Sequence, residues 1–314
     1  FHPSATCGVF GAAAAAGRVF RLSAPSIASA FGIALSQAAG SLQFLANGAW
    51  TKRFQVGWAA MGGLAAASFA RAGVKGAAEA FEGAHGFLRA YAPTPRPERA
   101  LAGLGQSFEL MATAVKPYPS CRYGHAGIDA ARALRAAHAI EPEQIENVRF
   151  GLSKAAMRLI GEPAEKKANP ENIVDGQFSG PFVIAVALSE GSMDWDSYGL
   201  LHDPNVRSLM KKIRCEADPE IEAEFPTNMA GRVEIGLRGG NSFAQTVHVP
   251  KGEPGNFLSE SEIREKFESL AAPALGSSAA ASLADAVGRL SRLPDIGSLF
   301  ARPEPAEAVR LAGA

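Results

Sequence analysis

Hydrophobic positions in the first third of the chain recur at helical spacing, and most of them carry small residues. The alanine-rich segment 8–21 predicts one helix, and the segment 23–40 predicts a second helix, which Ser23 caps. A third helix is predicted over 57–72, and one or two short helices over 75–91. Because small side chains let helices approach closely, this part of the chain predicts an all-helical domain.

A proline-rich segment ends this pattern at residues 93–97, because three prolines in five residues cannot continue a helix. Beyond it the spacing changes repeatedly between that of strands and that of helices. Strands are predicted over 107–115 and 145–152, helices over 124–139 and 180–190, and an antiparallel hairpin over 232–249. Since strands and helices do not alternate strictly, the pattern favours an α+β domain.

Helical spacing returns near the end of the chain. Ser259 and Glu262 fit a capping box, and a last helix is predicted over 278–293. We therefore predict a multidomain α and α+β fold. It consists of a helical domain over 1–108, a smaller α+β domain over 109–255, and C-terminal helices over 256–314 that pack on the helical domain.

Composition narrows the class of protein. The chain has 314 residues, of which 47% are hydrophobic, and its 31 lysines and arginines balance 31 aspartates and glutamates. Without a basic excess or a long apolar segment, we expect neither nucleic-acid binding nor a membrane span. Cys7, Cys121 and Cys215 form no C-x-x-C pair. This spacing argues against a metal site and fits a cytoplasmic protein.

The stretch 47–63 carries the first candidate chemistry. It opens with Asn47-Gly48, a turn signal, and then places Lys52 and Arg53 among three aromatic residues, Trp50, Phe54 and Trp58. Aromatic rings that exclude water would strengthen the binding of a carboxylate by these cations. The alternative is a solvated Lys-Arg pair at a helix start, with the tryptophans in the core.

Two further places carry candidate groups. His2 precedes a predicted helix start, where a carboxylate would be stabilised and where an imidazole could move a proton. The turn 116–125 contains Lys116, Cys121, Arg122 and His125, and the cysteine and histidine could form a thiolate pair. The alternatives are a frayed terminal histidine and a purely structural turn. Gly180-Pro181-Phe182 opens another helix that could face an anion.

Five stretches in order resemble the MmgE/PrpD family, which includes 2-methylcitrate dehydratase, cis-aconitate decarboxylase and iminodisuccinate epimerase. They are FHPSATCGVFGAAAAAGRV, GIALSQAAGSLQFLANGAWTKRFQVGWAAMGG, EGAHGFLRAYA, KPYPSCRYGHAGID and QFSGPFVIAVAL. The resemblance implies a helical domain, a smaller α+β lid and C-terminal helices that return to the helical domain. It also implies a homodimer without metal or organic cofactor and an active site between the domains.

Matched by position, His2 and Lys52 resemble an active-site histidine and lysine of the decarboxylase branch. Cys121 and Phe182 stand where that branch has a histidine and a tyrosine, which counts against cis-aconitate decarboxylation. The family also has an N-terminal helical segment with further active-site residues, so the chain looks like the C-terminal two-thirds of a full enzyme.

We therefore expect a cofactor-independent hydro-lyase that acts on a small di- or tricarboxylic acid, similar to 2-methylcitrate, by removing a proton α to a carboxylate. Its expected catalytic residues are His2 and Lys52, with the acid and the base left open. The expected substrate-binding residues are Arg53, Lys116, Cys121, Arg122, His125 and Phe182. The alternatives are an epimerase or isomerase of a small dicarboxylate, or a truncated, non-catalytic ligand-binding member of the family.

Overall fold

The computed structural model describes residues 1–45 and 49–300, which fall into two compact units. The first unit is Phe1–Glu109, and the second begins at Leu110. The predicted Asn47-Gly48 turn lies outside the described residues. The predicted packing of the C-terminal helices on the helical domain stays a prediction.

The described residues of the first unit form helices and turns without strands. Its helices are α1 Pro3–Thr6, α2 Gly8–Val19, α3 Ala24–Leu35, α4 Thr51–Arg71 and α5 Phe87–Tyr91. The predicted cap of α3 is confirmed, since the Ser23 side chain accepts a hydrogen bond from the backbone N–H of Ser26. The core consists mainly of alanines around Val9 and Phe10.

Small residues on α4 bring it against α2. At Gly63 an added Cβ would lie 2.4 Å from the Cβ of Ala12 and 2.5 Å from the carbonyl oxygen of Val9. Any side chain there would therefore push the two helices apart. The close packing predicted from the alanine and glycine content is confirmed.

The two sides of α4 differ in character. Buried Ala59, Gly62 and Ala66 follow helical spacing from Lys52 and Gln55, so all five positions share one side. The aromatic side chains fall on the opposite side and are largely exposed: Trp50 by 65%, Phe54 by 61% and Trp58 by 47%. The expectation that these rings shield Lys52 from water is wrong for the described chain, because the helical period turns them away from the side that carries Lys52. Arg53 lies against the Trp50 ring but is itself exposed.

The second unit contains a four-stranded mixed sheet in the order β2-β1-β3-β4. The strands are β1 Ile145–Leu152, β2 Ile213–Ala217, β3 Gly231–Leu237 and β4 Ser242–Val247. Strand β1 pairs in parallel with β2 and antiparallel with β3, and β3 pairs antiparallel with β4. The predicted strand over 145–152 and the predicted hairpin are confirmed.

The described residues of the second unit also form helices. They are α6 His125–His138, α7 Lys154–Ala156, α8 Ala164–Ala168, α9 Ile173–Gln177, α10 Gly180–Glu190, α11 Pro204–Met210, α12 Pro219–Glu224, α13 Glu260–Leu275 and α14 Ser277–Gly288. The predicted Ser259–Glu262 capping box at the start of α13 is confirmed. None of the helices in the described residues is long and apolar enough to cross a membrane.

One strand prediction is wrong. Residues 107–115 contain a short 3-10 turn, Glu109–Ala112, instead of a strand. Phe108, Leu110 and Met111 are strongly exposed. Their apolar spacing imitated a strand, but no neighbouring strand among the described residues pairs with this segment.

Candidate active site

His2 lies in a chain of hydrogen bonds inside the first unit. Its Nδ1 is 2.9 Å from Oε1 of Gln55, and Nε2 of Gln55 donates to the carbonyl oxygen of Ser41 at 2.8 Å. His2 is 9% exposed, and its ring meets the Phe44 ring edge-on at a centroid distance of 6.0 Å. His2 is therefore a largely buried imidazole with an ordered polar partner.

The backbone of His2 is also held on both sides. Its N–H donates to the carbonyl oxygen of Gly40 at 3.0 Å, and its carbonyl accepts from the N–H groups of Ala5 and Thr6. A Cβ at Gly40 would come within 2.7 Å of the Cβ of Ala5, so a larger residue could not hold this contact.

The helix that follows His2 has only four residues. The predicted stabilisation of a carboxylate at its start is therefore small, because so short a helix has little dipole.

Lys52 and Arg53 occupy the first turn of α4 and point to different surroundings. Lys52 is half-buried and shares a side of the helix with Gln55, the partner of His2. Arg53 is exposed, and its guanidinium carbon lies 5.7 Å from the centre of the Trp50 ring. Of the two cations, Lys52 is the one on the side that carries the histidine partner.

In the second unit, the turn with Lys116 and Cys121 is fastened by polar contacts. Nζ of Lys116 donates to the carbonyl oxygen of Ser120 at 3.0 Å, and the N–H of Cys121 donates to the carbonyl of Gln177 at 2.8 Å. The hydroxyl of Tyr118 donates to Asp129 in a short hydrogen bond. This side-chain and backbone network fixes the path of the turn before α6 begins.

A loop around Gly252 closes on the same turn. The N–H of Val115 donates to the carbonyl of Gly252 at 2.9 Å, and the N–H of Lys251 donates to Asp129 at 2.7 Å. Gly252 has φ +91°, and a Cβ there would lie 2.0 Å from the carbonyl oxygen of Val115. Only glycine suits this left-handed and crowded position.

Arg122 forms a two-pronged ion pair with Glu253 of that loop. Its Nε and one terminal nitrogen each donate to a different oxygen of the carboxylate. This geometry is the strongest form of arginine–carboxylate contact. In this structure Arg122 binds a carboxylate of its own chain, so its predicted contact with a substrate carboxylate stays a prediction.

His125 begins α6 and is 2% exposed. Burial lowers its pKa to about 3, with Lys116, Arg122 and Lys266 adding to the effect and a hydrogen bond to the Ser120 backbone opposing it. Its Nε2 is buried without a hydrogen-bond partner among the described residues. A thiolate pair with Cys121 would require a protonated ring, which these surroundings disfavour.

Phe182 and the third cysteine lie deeper in the second unit. Phe182 is fully buried in α10 and stacks on Tyr198 at a centroid distance of 5.8 Å. Burial raises the pKa of the Cys215 thiol to about 12, although Lys167 opposes this shift. The roles predicted for Cys121 and Phe182 in substrate binding stay predictions, as does the convergence of His2, Lys52 and Cys121.

Sequence reasoning missed two polar residues beside the predicted ones. Gln55 bonds His2, and the amine of Lys266 on α13 donates to the carbonyl of Lys116. Burial lowers the pKa of Lys266. The spacing of Gln55 from Lys52 on a helix was a usable signal, whereas Lys266 reaches the turn from 150 residues away in sequence. The described residues contain no cluster of three or more histidine, cysteine or acidic side chains that could hold a metal ion.

The described part of the chain thus defines a two-unit protein of the α and α+β class. Residues 1–100 match the model of the MmgE/PrpD N-terminal domain, and residues 118–292 match that of the MmgE/PrpD C-terminal domain. The chain belongs to the MmgE/PrpD family, as its sequence stretches predict.

The relatives include cis-aconitate decarboxylases of Aspergillus terreus, Mus musculus and Homo sapiens. The chain is 29% identical to the Aspergillus protein over 323 residues, which cover 96% of this chain and 64% of the relative. It is 28% identical to the mouse protein, covering 95% of this chain and 61% of the relative. For the human protein the identity is 26%, with 98% and 64% covered. The chain therefore spans less than two thirds of the length of each.

Proposed function

We propose that the protein carrying this chain is a cofactor-independent lyase, most simply a hydro-lyase, that acts on a small di- or tricarboxylic acid. One observation carries the proposal. His2 is held by Gln55, and Gln55 shares one side of α4 with Lys52. A group able to transfer a proton and a group able to bind a carboxylate are thus positioned by the same helix.

The proposed reaction needs these two kinds of group. A base removes the proton from the carbon α to a carboxylate, and the resulting electron pair forms a carbon–carbon double bond as the β-hydroxyl leaves. That hydroxyl takes up a proton and departs as water. His2 is the proposed proton-transfer residue. Lys52 is proposed to bind the carboxylate and stabilise the negative charge that builds up on it.

Positive charge in the second unit supports a substrate with several carboxylates. Lys116, Arg122 and Lys266 all lie close enough to His125 to lower its pKa. Arg122 has Glu253 as a counter-ion. The amines of Lys116 and Lys266 donate to backbone carbonyls of the turn, at Ser120 and Lys116. We propose that these two ammonium groups, with Cys121 beside them, help to bind a polycarboxylate.

A second candidate is the decarboxylation of a tricarboxylic acid, which the names of the relatives favour. In that reaction the bond to a carboxylate breaks, carbon dioxide leaves, and the carbon that keeps the electron pair takes up a proton. The resemblance places Cys121 and Phe182 where the decarboxylase branch has a histidine and a tyrosine. Phe182 has no polar atom in its side chain and is fully buried. These two differences are the reason to rank dehydration first. An epimerase would use the same proton removal but return the proton to the other face.

Proton NMR in deuterated water tests the proposal. The protein is incubated separately with 2-methylcitrate, citrate and cis-aconitate. A hydro-lyase produces a new alkene signal from a hydroxy acid, a decarboxylase releases carbon dioxide from cis-aconitate, and an epimerase replaces only the α-hydrogen by deuterium. Conversion of a hydroxy acid to an alkene supports the proposal. Release of carbon dioxide from cis-aconitate supports the second candidate, whereas its hydration to a hydroxy acid supports a hydro-lyase. No conversion of any of the three acids contradicts both.

The assembly and the location of the protein are part of the proposal. We propose a homodimer, as the family resemblance implies, and a cytoplasmic location, which the scattered cysteines favour. The mass in solution, measured by light scattering, distinguishes a dimer from a monomer.

A further inference from the structure

We propose that Gln55 is a positioning residue that holds His2 as the tautomer with its proton on Nδ1, so that Nε2 is the free base. The inference rests on the proposed function, in which His2 transfers a proton, and it adds that His2 acts as the base. It goes beyond that function by naming the residue that sets the protonation of the ring.

The orientation of the Gln55 amide follows from its second partner. One end of the amide is 2.8 Å from the carbonyl oxygen of Ser41, which can only accept a hydrogen bond. The amide nitrogen must therefore face Ser41. The amide oxygen then faces His2, at 2.9 Å from Nδ1.

The orientation of the amide determines the state of the ring. An amide oxygen only accepts, so Nδ1 of His2 must carry the hydrogen that it donates. In a neutral imidazole the other nitrogen then has a free electron pair. Nε2 is consequently the atom that can accept a proton, and the partner of Nδ1 stabilises the imidazolium that results.

The surrounding structure leaves the ring little freedom to exchange its partners. The backbone of His2 is bonded to Gly40, and the ring contacts Phe44 edge-on. Gln55 itself belongs to a helix of 21 residues whose packed side continues from Gln55 to Ala59 and Gly62. A group fixed on a rigid element can hold a tautomer more accurately than a loop residue can.

Nitrogen-15 NMR of histidine-labelled protein tests the tautomer without an activity measurement. The His2→Gln variant identifies the His2 signals by their disappearance. At a pH where the ring is neutral, the wild-type spectrum should show hydrogen on Nδ1 and a free electron pair on Nε2. Gln55→Leu removes the acceptor and should shift the population towards hydrogen on Nε2. A wild-type ring with hydrogen on Nε2, or an unchanged ring in Gln55→Leu, would overturn the inference.

Kinetics with Gln55→Glu covers the case in which Gln55→Leu fails to fold. Glutamate keeps an acceptor for Nδ1 but places a negative charge beside the ring, which favours the imidazolium. The acidic limb of the kcat/KM profile should move to higher pH, and activity should recover as pH rises. Gln55→Leu should lose about 10- to 100-fold in kcat at every pH, by analogy with residues that orient metal-bound histidines. A Gln55→Glu profile identical to wild type would contradict the positioning role.

The two measurements separate the inference from the proposed function. If the spectrum shows the Nδ1 tautomer but His2→Gln retains full activity, Gln55 positions a histidine that is not catalytic, and the proposed function fails. If His2→Gln is inactive but the tautomer is the opposite one, the proposed function stands and the role of Gln55 is wrong.

Discussion

Two buried histidines of this chain are held in opposite ways. His2 lies in a polar chain that runs through Gln55 to the backbone at Ser41. His125 lies among cations and beside the ring of Tyr118, with Nε2 lacking a partner among the described residues. Burial alone therefore does not identify a proton-transfer residue.

The surroundings of the two histidines differ in how they affect protonation of the imidazole. A neutral amide that accepts from one nitrogen leaves the other nitrogen able to bind a proton. Desolvation and neighbouring ammonium groups, by contrast, oppose protonation altogether, which is why the pKa of His125 falls to about 3. On this ground we propose His2 as the proton-transfer residue and expect His125 to remain neutral within the turn that carries Lys116 and Cys121.

The largest expected effect concerns the pH dependence of stability at His125. The unfolded chain binds a proton on this histidine below about pH 6.5, whereas the folded protein binds it only near pH 3. The stabilising contribution is therefore complete above about pH 6.5 and is lost as pH falls towards 3. The slope should be about 1.4 kcal/mol per pH unit in this window, on the order of 5 kcal/mol in all.

The His125→Asn variant removes this slope while keeping a donor for the Ser120 carbonyl. Urea unfolding at several pH values should show that the wild type loses stability faster than the variant on acidification. His138→Asn, at the exposed end of the same helix, is the control and should follow the wild type. Parallel curves for wild type and His125→Asn would mean that His125 is not held neutral.

A smaller effect is expected on the helix that carries Lys52 and Gln55. Gly63→Ala should destabilise by about 1–3 kcal/mol, because its Cβ would overlap Ala12 on α2. Gly57→Ala is the matched control, since nothing lies within 4 Å of its Cβ position. That substitution should stabilise by about 0.5–1 kcal/mol through helix propensity. Thermal midpoints of the two variants give the comparison, and equal shifts would contradict the assigned packed side of α4.

The smallest effect is expected at the ion pair between Arg122 and Glu253. Arg122→Lys should cost about 1 kcal/mol, because an ammonium cannot make both parallel hydrogen bonds and the pair is partly exposed. A double-mutant cycle with Glu253→Gln measures the coupling between the two side chains. A coupling near zero would show that the pair does not fasten the loop to the turn.

Much of the fold could be predicted where one periodicity dominates. Helix α10 has the predicted limits because its apolar segment begins after the Ser179 cap and ends before Gly191. Strand β1 has the predicted limits because buried Val148, Phe150 and Leu152 alternate along it. Strand β2 was missed since its five residues, IRCEA, are mostly polar and exposed at the edge of the sheet. Its place is set by parallel pairing with β1, a long-range contact without a local signal.

The sequence predicted which types of residue form the candidate site, but not which residues contact one another there. Lys52 and His2 carry recognisable chemistry, but the hydrogen bond between His2 and Gln55 joins positions 53 residues apart. The three aromatic residues near Lys52 gave a wrong prediction of a water-excluding site. Their number suggested that they shield the lysine, but their positions around the helix leave their side chains exposed. The role of Arg122 was likewise open, since its partner Glu253 lies 131 residues away.

The most direct measurement of the central claim compares kcat/KM with the thermal midpoint for Lys52→Ala, using the acid converted in the NMR experiment. If Lys52 stabilises developing charge, kcat/KM should fall about a hundredfold, roughly 3 kcal/mol, while the midpoint changes little. Lys52→Arg should not restore full activity, because a planar guanidinium does not replace a compact ammonium.

The control for that measurement is Lys75→Ala, at an exposed lysine of the same unit, which should retain the activity and midpoint of the wild type. A Lys52→Ala protein that melts many degrees lower but keeps near-normal kcat/KM would contradict the account, because Lys52 would then serve packing through its aliphatic stem.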